Sequence, residues 1–556
     1  MPDGNAGSTA AARARWGAAI AIVVVAALAA ATPILVLGSP DGHDIEYHLS
    51  CWLDAAQQWR AGVHWALWAQ WANYGFGEPR FIFYPPLSRV LGALALRLLP
   101  AGGVVAGYIF VVLGIAGASM FALARSWLPP AHAALAAAFY AVSPYVLLTA
   151  YQRNAFAELL VQAFFPLLLR FVFRLDKGTQ AIAPLALVLA LIWLSDLPAA
   201  VVATYALAFT VAALAALGRS WRVAGRGTAA IGLGLALAAF FVLPAAYEQR
   251  WVNIAAAISP EFRPENWEYT WGFDAEAEWF YAILSVTVCS SIALTAVAAA
   301  GSRTWRRTHP LAWQAVLALA AVSSFMLLPI VSSPVWTHLP QLEFVEFPWR
   351  WLFVLGTCFA LLAPAALVRC RPYWPALVLL VLAMSGGMAS GGVTRWRRHM
   401  IPDLDARIRV AGGYEGSPQF MPPATNPDLL YRNREMPLVV AADASTMVRI
   451  LHWEPERKSI ETRGPMGSRL TLHLLSYPAW QATVDKHSVA LAADEIGRIV
   501  VPVPPGTHRL EVSFRRTPDR WGGMVLSLAA AVMLGGIAWR SRSPQAASHY
   551  AAGKAD

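Results

Sequence analysis

The chain of 556 residues is 57% hydrophobic and only 14% charged, whereas a soluble protein usually carries about a quarter charged residues. This composition excludes an ordinary soluble protein and predicts a polytopic membrane protein. The formal net charge of +10 does not indicate nucleic-acid binding, because the basic residues lie in short loops and no basic patch with a reading element is present.

The first predicted element is a membrane anchor near the N-terminus. Arg13 and Arg15 precede an apolar run at about 16–38. This run is too long for the core of a typical signal peptide, so we expect it to be retained as a transmembrane helix.

Apolar runs of spanning length predict twelve transmembrane helices in all. They lie near 16–38, 103–124, 131–150, 159–175, 180–195, 198–217, 228–247, 277–300, 311–331, 350–368, 373–391 and 522–540. A shorter apolar segment, 87–99, is predicted to lie in the outer interface. Only this assignment keeps the basic loops, such as 218–227 and 303–309, on the cytoplasmic side with both termini.

This topology divides the chain into three parts. Residues 1–392 form a transmembrane domain whose outer loop, 39–102, carries interfacial helices. Residues 393–520 alternate in a strand-like way, as in "MVRILHW" and "HRLEVSF", and predict an extracytoplasmic β-sandwich-like domain. Residues 521–556 hold the last span and a cytoplasmic tail. Paired broken helices, which a transporter with inverted repeats would show, are not obvious.

The densest group of ionisable residues follows the first span, in "DGHDIEYHLS" (41–50). Asp41, Asp44 and His48 would share one face of a helix, with His43 beside them. Asp41 is either a helix cap or part of a site, whereas Asp44 suits a general base. Alternatively, Asp41, Asp44 and Glu46 hold a divalent cation such as Mg²⁺ or Mn²⁺.

Two later outer clusters combine acids with arginine. In "YQRNAFAELL", Arg153 precedes Glu158, which is either an acid favoured by the helix dipole or a functional carboxylate at the start of an apolar span. In "EFPWRWLF", Glu346 precedes Arg350. Arg350 is either an interface anchor between tryptophans or a ligand for phosphate, which a guanidinium binds well. Tyr84, in "FYPPL", is a further candidate for substrate binding.

Several of these stretches together resemble a bacterial family of multispanning proteins. The stretches are "DGHDIEYHL", "NYGFGEPRFIFYPPL", "YQRNAFAELLVQAFFPLLL", "VLPAAYEQRWV", "EFPWRWL" and, near the C-terminus, "LSYPAWQATVDKHSVAL". The family is called YfhO-like or 6-pyruvoyl-tetrahydropterin-synthase-related and is grouped with the GT-C glycosyltransferase superfamily. The zinc-binding histidine cluster of the soluble pterin synthase has no counterpart here.

The resemblance implies a GT-C-like fold and a polyprenyl-phosphate-linked sugar donor. It places the first-loop acid at Asp44, with Asp41 or Glu46 as alternatives, and the later acid at Glu158. The adjacent acid pair of many GT-C loops is absent, because Asp41, Asp44 and Glu46 are spaced apart.

The residues and the resemblance together predict a membrane glycosyltransferase in the bacterial inner (plasma) membrane, active on its extracytoplasmic face. The acceptor would be an unknown cell-envelope glycan, lipid or protein. The predicted catalytic residues are Asp44, Glu158 and Asp41. The predicted substrate-binding residues are His43, Glu46, His48, Arg153, Arg350, Glu346 and Tyr84. A transporter or flippase for lipid-linked glycans and a non-enzymatic membrane protein remain as alternatives.

Overall fold

The protein is described here by a computed structural model covering residues 4–267, 275–369 and 395–540. Helices form most of it, and strands are concentrated near the C-terminus. The helices are α1 (Gly4–Leu37), α2 (Ile45–Arg60), α3 (Arg80–Phe83), α4 (Pro86–Leu98), α5 (Val104–Ala124), α6 (Pro130–Ala141), α7 (Pro144–Leu147), α8 (Phe156–Val172), α9 (Ile182–Trp193), α10 (Leu197–Leu217), α11 (Trp221–Leu237), α12 (Ala239–Glu248), α13 (Ala275–Gly301), α14 (Arg303–Thr308), α15 (Pro310–Met326), α16 (Pro329–His338), α17 (Leu352–Ala366), α18 (Met400–Ala411), α19 (Pro427–Arg432) and α20 (Pro518–Arg540).

The prediction of a helical protein with several apolar segments of membrane-spanning length is confirmed. Within the described ranges, seven helical segments are long and apolar enough to cross a membrane, or up to nine if each of two bent pairs is one span. Two further predicted spans correspond to α8 and α9, which have only 17 and 12 residues. The predicted span 373–391 lies outside the described residues.

Broken helices are present, contrary to the sequence prediction. The axis bends by 74° between α11 and α12 and by 96° between α15 and α16. Pro329 begins α16, and proline pushes the preceding residue out of helical geometry, which explains the second break. At the first break, Ser527 of α20 accepts a hydrogen bond from the Phe240 N–H and donates one to the Ala236 carbonyl. The backbone groups freed by the bend are therefore satisfied.

The predicted interfacial segment 87–99 is observed as α4, which is not among the candidate spans. Pro86 starts the helix, a position at which the missing N–H costs nothing. Gly92 faces the buried indole of Trp52 on α2, and a Cβ at this position would collide with the ring. Glycine therefore allows α4 to lie directly on α2.

The C-terminal strands form two antiparallel sheets that share one apolar core, in agreement with the predicted β-rich region. The four-stranded sheet has the order β3-β6-β10-β9 and the five-stranded sheet the order β4-β5-β11-β7-β8. The strands are β3 (Val439–Ala441), β4 (Met447–Trp453), β5 (Arg457–Gly464), β6 (Ser468–Leu475), β7 (Trp480–Val484), β8 (His487–Val489), β9 (Ala492–Ala493), β10 (Arg498–Val503) and β11 (Gly506–Phe514). A separate pair, β1 (Ser39–Pro40) and β2 (Trp396–Arg397), joins the end of α1 to the segment before α18.

A buried ion pair connects the β region to two apolar helices. Glu248, at the end of α12, accepts hydrogen bonds from Arg520 Nε at 2.7 Å and Nη2 at 2.8 Å. The same carboxylate accepts from the Tyr477 hydroxyl at 2.5 Å and from Thr517 at 3.2 Å. Because Tyr477 follows β6 and Arg520 lies in α20, this carboxylate fixes the β region against the helices.

Replacing Glu248 by alanine should destabilise this junction, because Arg520 would keep its charge in a buried position without its partner. Breaking a buried pair in this way costs about 3–5 kcal/mol. We expect a clearly lower midpoint of thermal unfolding for the purified protein. The matched control is Asp405→Ala, which breaks the exposed Arg409–Asp405 pair and should cost less than about 1 kcal/mol. Equal midpoints for the two variants would contradict the assignment.

Candidate functional site

The start of α2 is fixed to a π-helical turn at Leu148–Arg153 by backbone hydrogen bonds. The N–H groups of His43 and Asp44 donate to the carbonyls of Gln152 and Arg153 at 3.1 and 2.9 Å. The Gly42 N–H donates to Asn154 Oδ1 at 2.6 Å. A Cβ at Gly42 would collide with this turn. The sequence Asp-Gly-His-Asp therefore brings Asp44 beside Arg153, although they are far apart in the chain.

Asp44 is the N-terminal flanking residue of α2, but its side chain makes no capping hydrogen bond. It is half-buried, and within the described ranges its carboxylate has no ion-pair partner. Its charge acts on Arg153, His48 and Glu346. A carboxylate held in place through its backbone, with its oxygens unoccupied, can accept a proton or a hydrogen bond from a ligand.

Next to Asp44 lies a buried group of charges that we call the Glu158 cluster: Arg153, Glu158, Arg350 and Glu346, with Tyr145 and Gln162. Glu158 is fully buried at the start of α8. Its carboxylate contacts Arg153 Nη1 at 2.5 Å and Arg350 Nε at 3.3 Å. It also accepts hydrogen bonds from Tyr145 and, at 3.3 Å, from Gln162. Glu158 therefore holds two guanidinium groups together.

Arg350 enters this cluster from a 3-10 turn at Pro348–Trp351. It donates to the Val345 carbonyl and to Glu346 at 3.2 Å. Burial raises the pKa of Glu346, while Arg350 opposes the increase. Arg350 is thus a buried ion-pair partner of Glu158 and Glu346, which disfavours the alternative of an interface anchor between two tryptophans.

Aromatic rings connect the two arginines to His43. The guanidinium groups of Arg153 and Arg350 lie 5.6 and 5.1 Å from the ring centroid of Phe347. Phe347 stacks on Trp349 at 4.5 Å, and Trp349 contacts Phe280 at 6.0 Å. His43 lies against Phe280 at 4.8 Å. The structure therefore brings together six predicted residues: His43, Asp44, Arg153, Glu158, Glu346 and Arg350.

His48 and Tyr84 have a different role from the predicted binding of substrate. The Phe156 N–H donates to His48 Nε2 at 3.2 Å, and His48 Nδ1 lies 2.6 Å from the Tyr84 hydroxyl. Both ring nitrogens are occupied, and the ring is only 4% exposed. Burial lowers the pKa of His48 to about 4. The neutral imidazole therefore connects α2, α8 and Tyr84, and both of its ring nitrogens are engaged within the protein.

Asp41 and Glu46 do not join Asp44 in a metal site. Asp41 lies 2.9 Å from Arg397, and Glu46 lies 2.5 Å from Arg407. Among the described residues, no group of three or more His, Cys, Asp or Glu side chains is arranged to hold a metal ion. The prediction of an Asp41–Asp44–Glu46 cation site is wrong because arginines from the segment after 395 compensate two of the three acids. Asp41 is also not the cap of α2, which begins at Ile45.

Sequence reasoning missed a second buried network in the loop 39–102. Asp54 is fully buried and accepts hydrogen bonds from Gln58 at 2.9 Å and Tyr414 at 2.9 Å. Burial raises the pKa of Asp54 to about 6. Glu78 pairs with Arg80 at 2.5 Å, and both side chains are buried. In the sequence these residues resemble the solvent face of an amphipathic helix, and only the distant segment that includes Tyr414 buries them.

The fold and the site together define a class: a helical protein with several candidate membrane spans, a C-terminal β region and a buried charge cluster. A comparison with known families found no family model that matches this chain, and a comparison with curated proteins found no match.

The burial of neutral His48 predicts a pH-dependent stability. Its pKa falls from 6.5 to about 4 on folding, so the unfolded chain binds more protons between these values. The stabilisation is complete above pH 6.5 and is lost as the pH falls, by about 2 kcal/mol at pH 5. The His48→Gln variant should lose less of its own stability between pH 7.5 and 5 than the wild type does.

Asp54 provides the control of opposite sign. Its pKa rises from 3.8 to about 6 on folding, so it adds stability as the pH falls through this window. Asp54→Asn should therefore lose more stability on acidification than the wild type. The same pH profile for both variants, measured by thermal unfolding, would contradict both assignments.

Proposed function

We propose that the protein is a membrane glycosyltransferase that transfers a sugar from a polyprenyl-phosphate-linked donor to an extracytoplasmic acceptor. The observation that carries this proposal is the position of Asp44. Its carboxylate has no ion-pair partner within the described ranges, while two buried guanidinium groups lie on its Arg153 side. A proton acceptor next to groups that stabilise a phosphate is the pair of functions that such a transfer needs.

In the proposed reaction, Asp44 accepts the proton of an acceptor hydroxyl. The hydroxyl oxygen then forms a bond to the anomeric carbon of the donor sugar, and the bond between this carbon and the phosphate oxygen breaks. The lipid phosphate leaves with the bonding electron pair. Arg153 and Arg350 offset the negative charge that develops on it, and Glu158 keeps both guanidinium groups in position.

Arg153 has donors to spare for this role. Its described hydrogen bonds use Nη1, which faces Tyr145 at 3.3 Å and Glu158 at 2.5 Å. A guanidinium carries five N–H donors in a fixed plane, so the remaining donors suit a planar or tetrahedral oxyanion. A divalent cation is not needed in this scheme, because the two arginines supply the positive charge.

We further propose that the chain crosses the bacterial plasma membrane twelve times, with the Glu158 cluster and the β region on the extracytoplasmic face. The distribution of Lys and Arg supports this arrangement. The contacts of Tyr477 with Glu248 and of Arg397 with Asp41 support it as well, because they connect the β region and β2 to the ends of helices. A membrane-embedded donor would then reach the site sideways from the lipid.

The central test is the Asp44→Asn variant in membranes that contain the full-length protein. Polyprenyl-phosphate donors with radiolabelled hexoses are supplied, and label in the envelope glycan fraction is measured. Loss of the proton acceptor should lower transfer by about 100-fold or more. Glu46→Gln is the matched control, since Glu46 is an exposed acid of the same loop that pairs with Arg407, and it should retain near wild-type transfer. Full activity of Asp44→Asn would remove the proposal.

A transporter for lipid-linked glycans is the second candidate, and the two bent helix pairs favour it. Their breaks lie at Ala238 and at Leu327–Leu328, which are apolar residues. Transporter sites at broken helices usually offer polar or charged groups to the substrate. The cluster with two arginines and the adjacent Asp44 carboxylate lies instead around Glu158, so the bends support a transporter less than the cluster supports an enzyme.

The proposed orientation can be tested by labelling single cysteines in intact cells with a membrane-impermeant maleimide. Ser488→Cys lies on an exposed position of β8 and should be labelled without permeabilisation. Thr308→Cys ends α14, in a loop proposed to be cytoplasmic, and should be labelled only after permeabilisation. Labelling is measured above that of the parent chain with its native cysteines. The reverse pattern would place the β region in the cytoplasm.

A further inference from the structure

A second site lies outside the Glu158 cluster, in a groove between the α11–α12 bend, α20 and the loop 39–102. The groove has a volume of about 560 Å³, within the range of about 300–1,000 Å³ that is typical of ligand pockets. Its walls are mostly apolar and include Leu237, Phe240 and Leu528. It shares no residue with the Glu158 cluster, so it needs an explanation of its own.

The bend between α11 and α12 creates this space. Because α12 turns away from α11 by 74°, the two helices do not form one continuous surface against α20. Phe240, near the bend, lines the groove that results. Ser527 holds α20 to the bend through its hydrogen bonds with Phe240 and Ala236. The Ser527 hydroxyl therefore fixes the position of α20 at one wall of the groove.

The surroundings of the groove indicate a membrane lipid as the occupant. Helix α20 is one of the candidate spans, and only 11% of its apolar window is buried within the described protein. Leu528 and Trp65, which line the groove, are 67% and 40% exposed, and Trp521, which lies against the Arg516 guanidinium, is 53% exposed. Exposed tryptophans are typical of the level at which headgroups meet hydrocarbon.

The mouth of the groove carries one exposed arginine that forms no salt bridge in the part of the chain that the structure describes. Two arginines line it, but Arg520 is paired with Glu248. Arg516 is exposed, contacts only Met524 Sδ at 3.4 Å and the Trp521 ring at 5.4 Å, and forms no ion pair among the described residues. The charge of Glu456 acts on the same region but makes no salt bridge with Arg516. A guanidinium at this position suits a phosphate.

We propose that the groove binds one anionic phospholipid of the bilayer, with its phosphate at Arg516 and one acyl chain along α20 toward Ala531. From Met524 to Ala531 a helix rises about 10 Å, which accommodates a large part of an acyl chain. The lipid fills the space between the bent helices, α20 and the loop that carries Trp65. It is bound as a structural component and takes no part in the proposed sugar transfer.

The test uses native mass spectrometry of the full-length protein, delipidated in detergent and incubated with dioleoyl-phosphatidylglycerol, dioleoyl-phosphatidylcholine or a polyprenyl phosphate. The wild type should retain one phosphatidylglycerol in preference to phosphatidylcholine. Arg516→Ala should weaken this retention on the order of fivefold, since a basic residue near a lipid surface contributes that much. Arg515→Ala removes the same charge from the neighbouring exposed residue, which contacts Ser513 and does not line the groove, and should change little.

A second pair of variants tests the apolar part without changing charge. Ala531→Phe places a ring in the groove, at the lining residue farthest along α20 from Arg516, and should lower retention of phosphatidylglycerol. Ala529→Phe lies on an exposed position of α20 outside the groove and should not. Equal retention of the two lipids, or equal losses for Arg515→Ala and Arg516→Ala, would overturn the proposal. Retention of polyprenyl phosphate alone would also overturn it and would assign the groove to the donor. None of these outcomes depends on transfer activity, so they are distinct from failure of the proposed enzyme.

Discussion

The arrangement of the candidate site depends on one buried carboxylate, Glu158. It connects the π-helical turn that carries Arg153, the first turn of α8 and the 3-10 turn that carries Arg350. Removing ions from water costs several kcal/mol for each of them, and the attraction compensates only when the geometry is good and the remaining donors are satisfied. Tyr145 and Gln162 complete that requirement. The position of both guanidinium groups is therefore a consequence of the burial of Glu158.

The same device occurs at two other junctions of the molecule. Glu78 and Arg80 form a buried pair that also contacts Ser417, and Glu248 and Arg520 form another that contacts Tyr477. Each pair connects segments that are distant in sequence. Apolar contacts would hold these segments together at many orientations, but a buried ion pair with few partners is satisfied at one. We therefore attribute the fixed relation of the helices and the β region to these pairs.

The sequence predicted those features that depend on interactions between residues close together in the chain. Periodicity and alternation predicted the apolar helices and the strands β4, β6, β10 and β11, because each depends on the chain near it. Asp44, Glu158 and Arg350 were placed on one predicted face of the membrane, since all three follow or precede apolar segments, but the contacts that bring them together were not predictable from spacing. The metal set failed because Arg397 and Arg407 lie some 350 residues away from Glu46 in the chain. The burial of Asp54 and the bend between α11 and α12 were missed for the same reason, because their partners Tyr414 and Ser527 are distant in the chain and not recognisable by spacing.

Asp44 differs from the acids of the charged clusters in that, among the described residues, its carboxylate is not paired with an arginine. Glu158, Glu78 and Glu248 are buried and paired with arginine, and Asp41 and Glu46 are paired at the surface. The backbone N–H of Asp44 is bonded to the carbonyl of Arg153, so the two residues lie side by side. Yet the guanidinium of Arg153 turns to Glu158, and the Asp44 side chain does not cap its own helix. Pairing such a carboxylate would stabilise the fold. Leaving its oxygens available therefore costs stability, and this cost is expected at a position that binds a ligand.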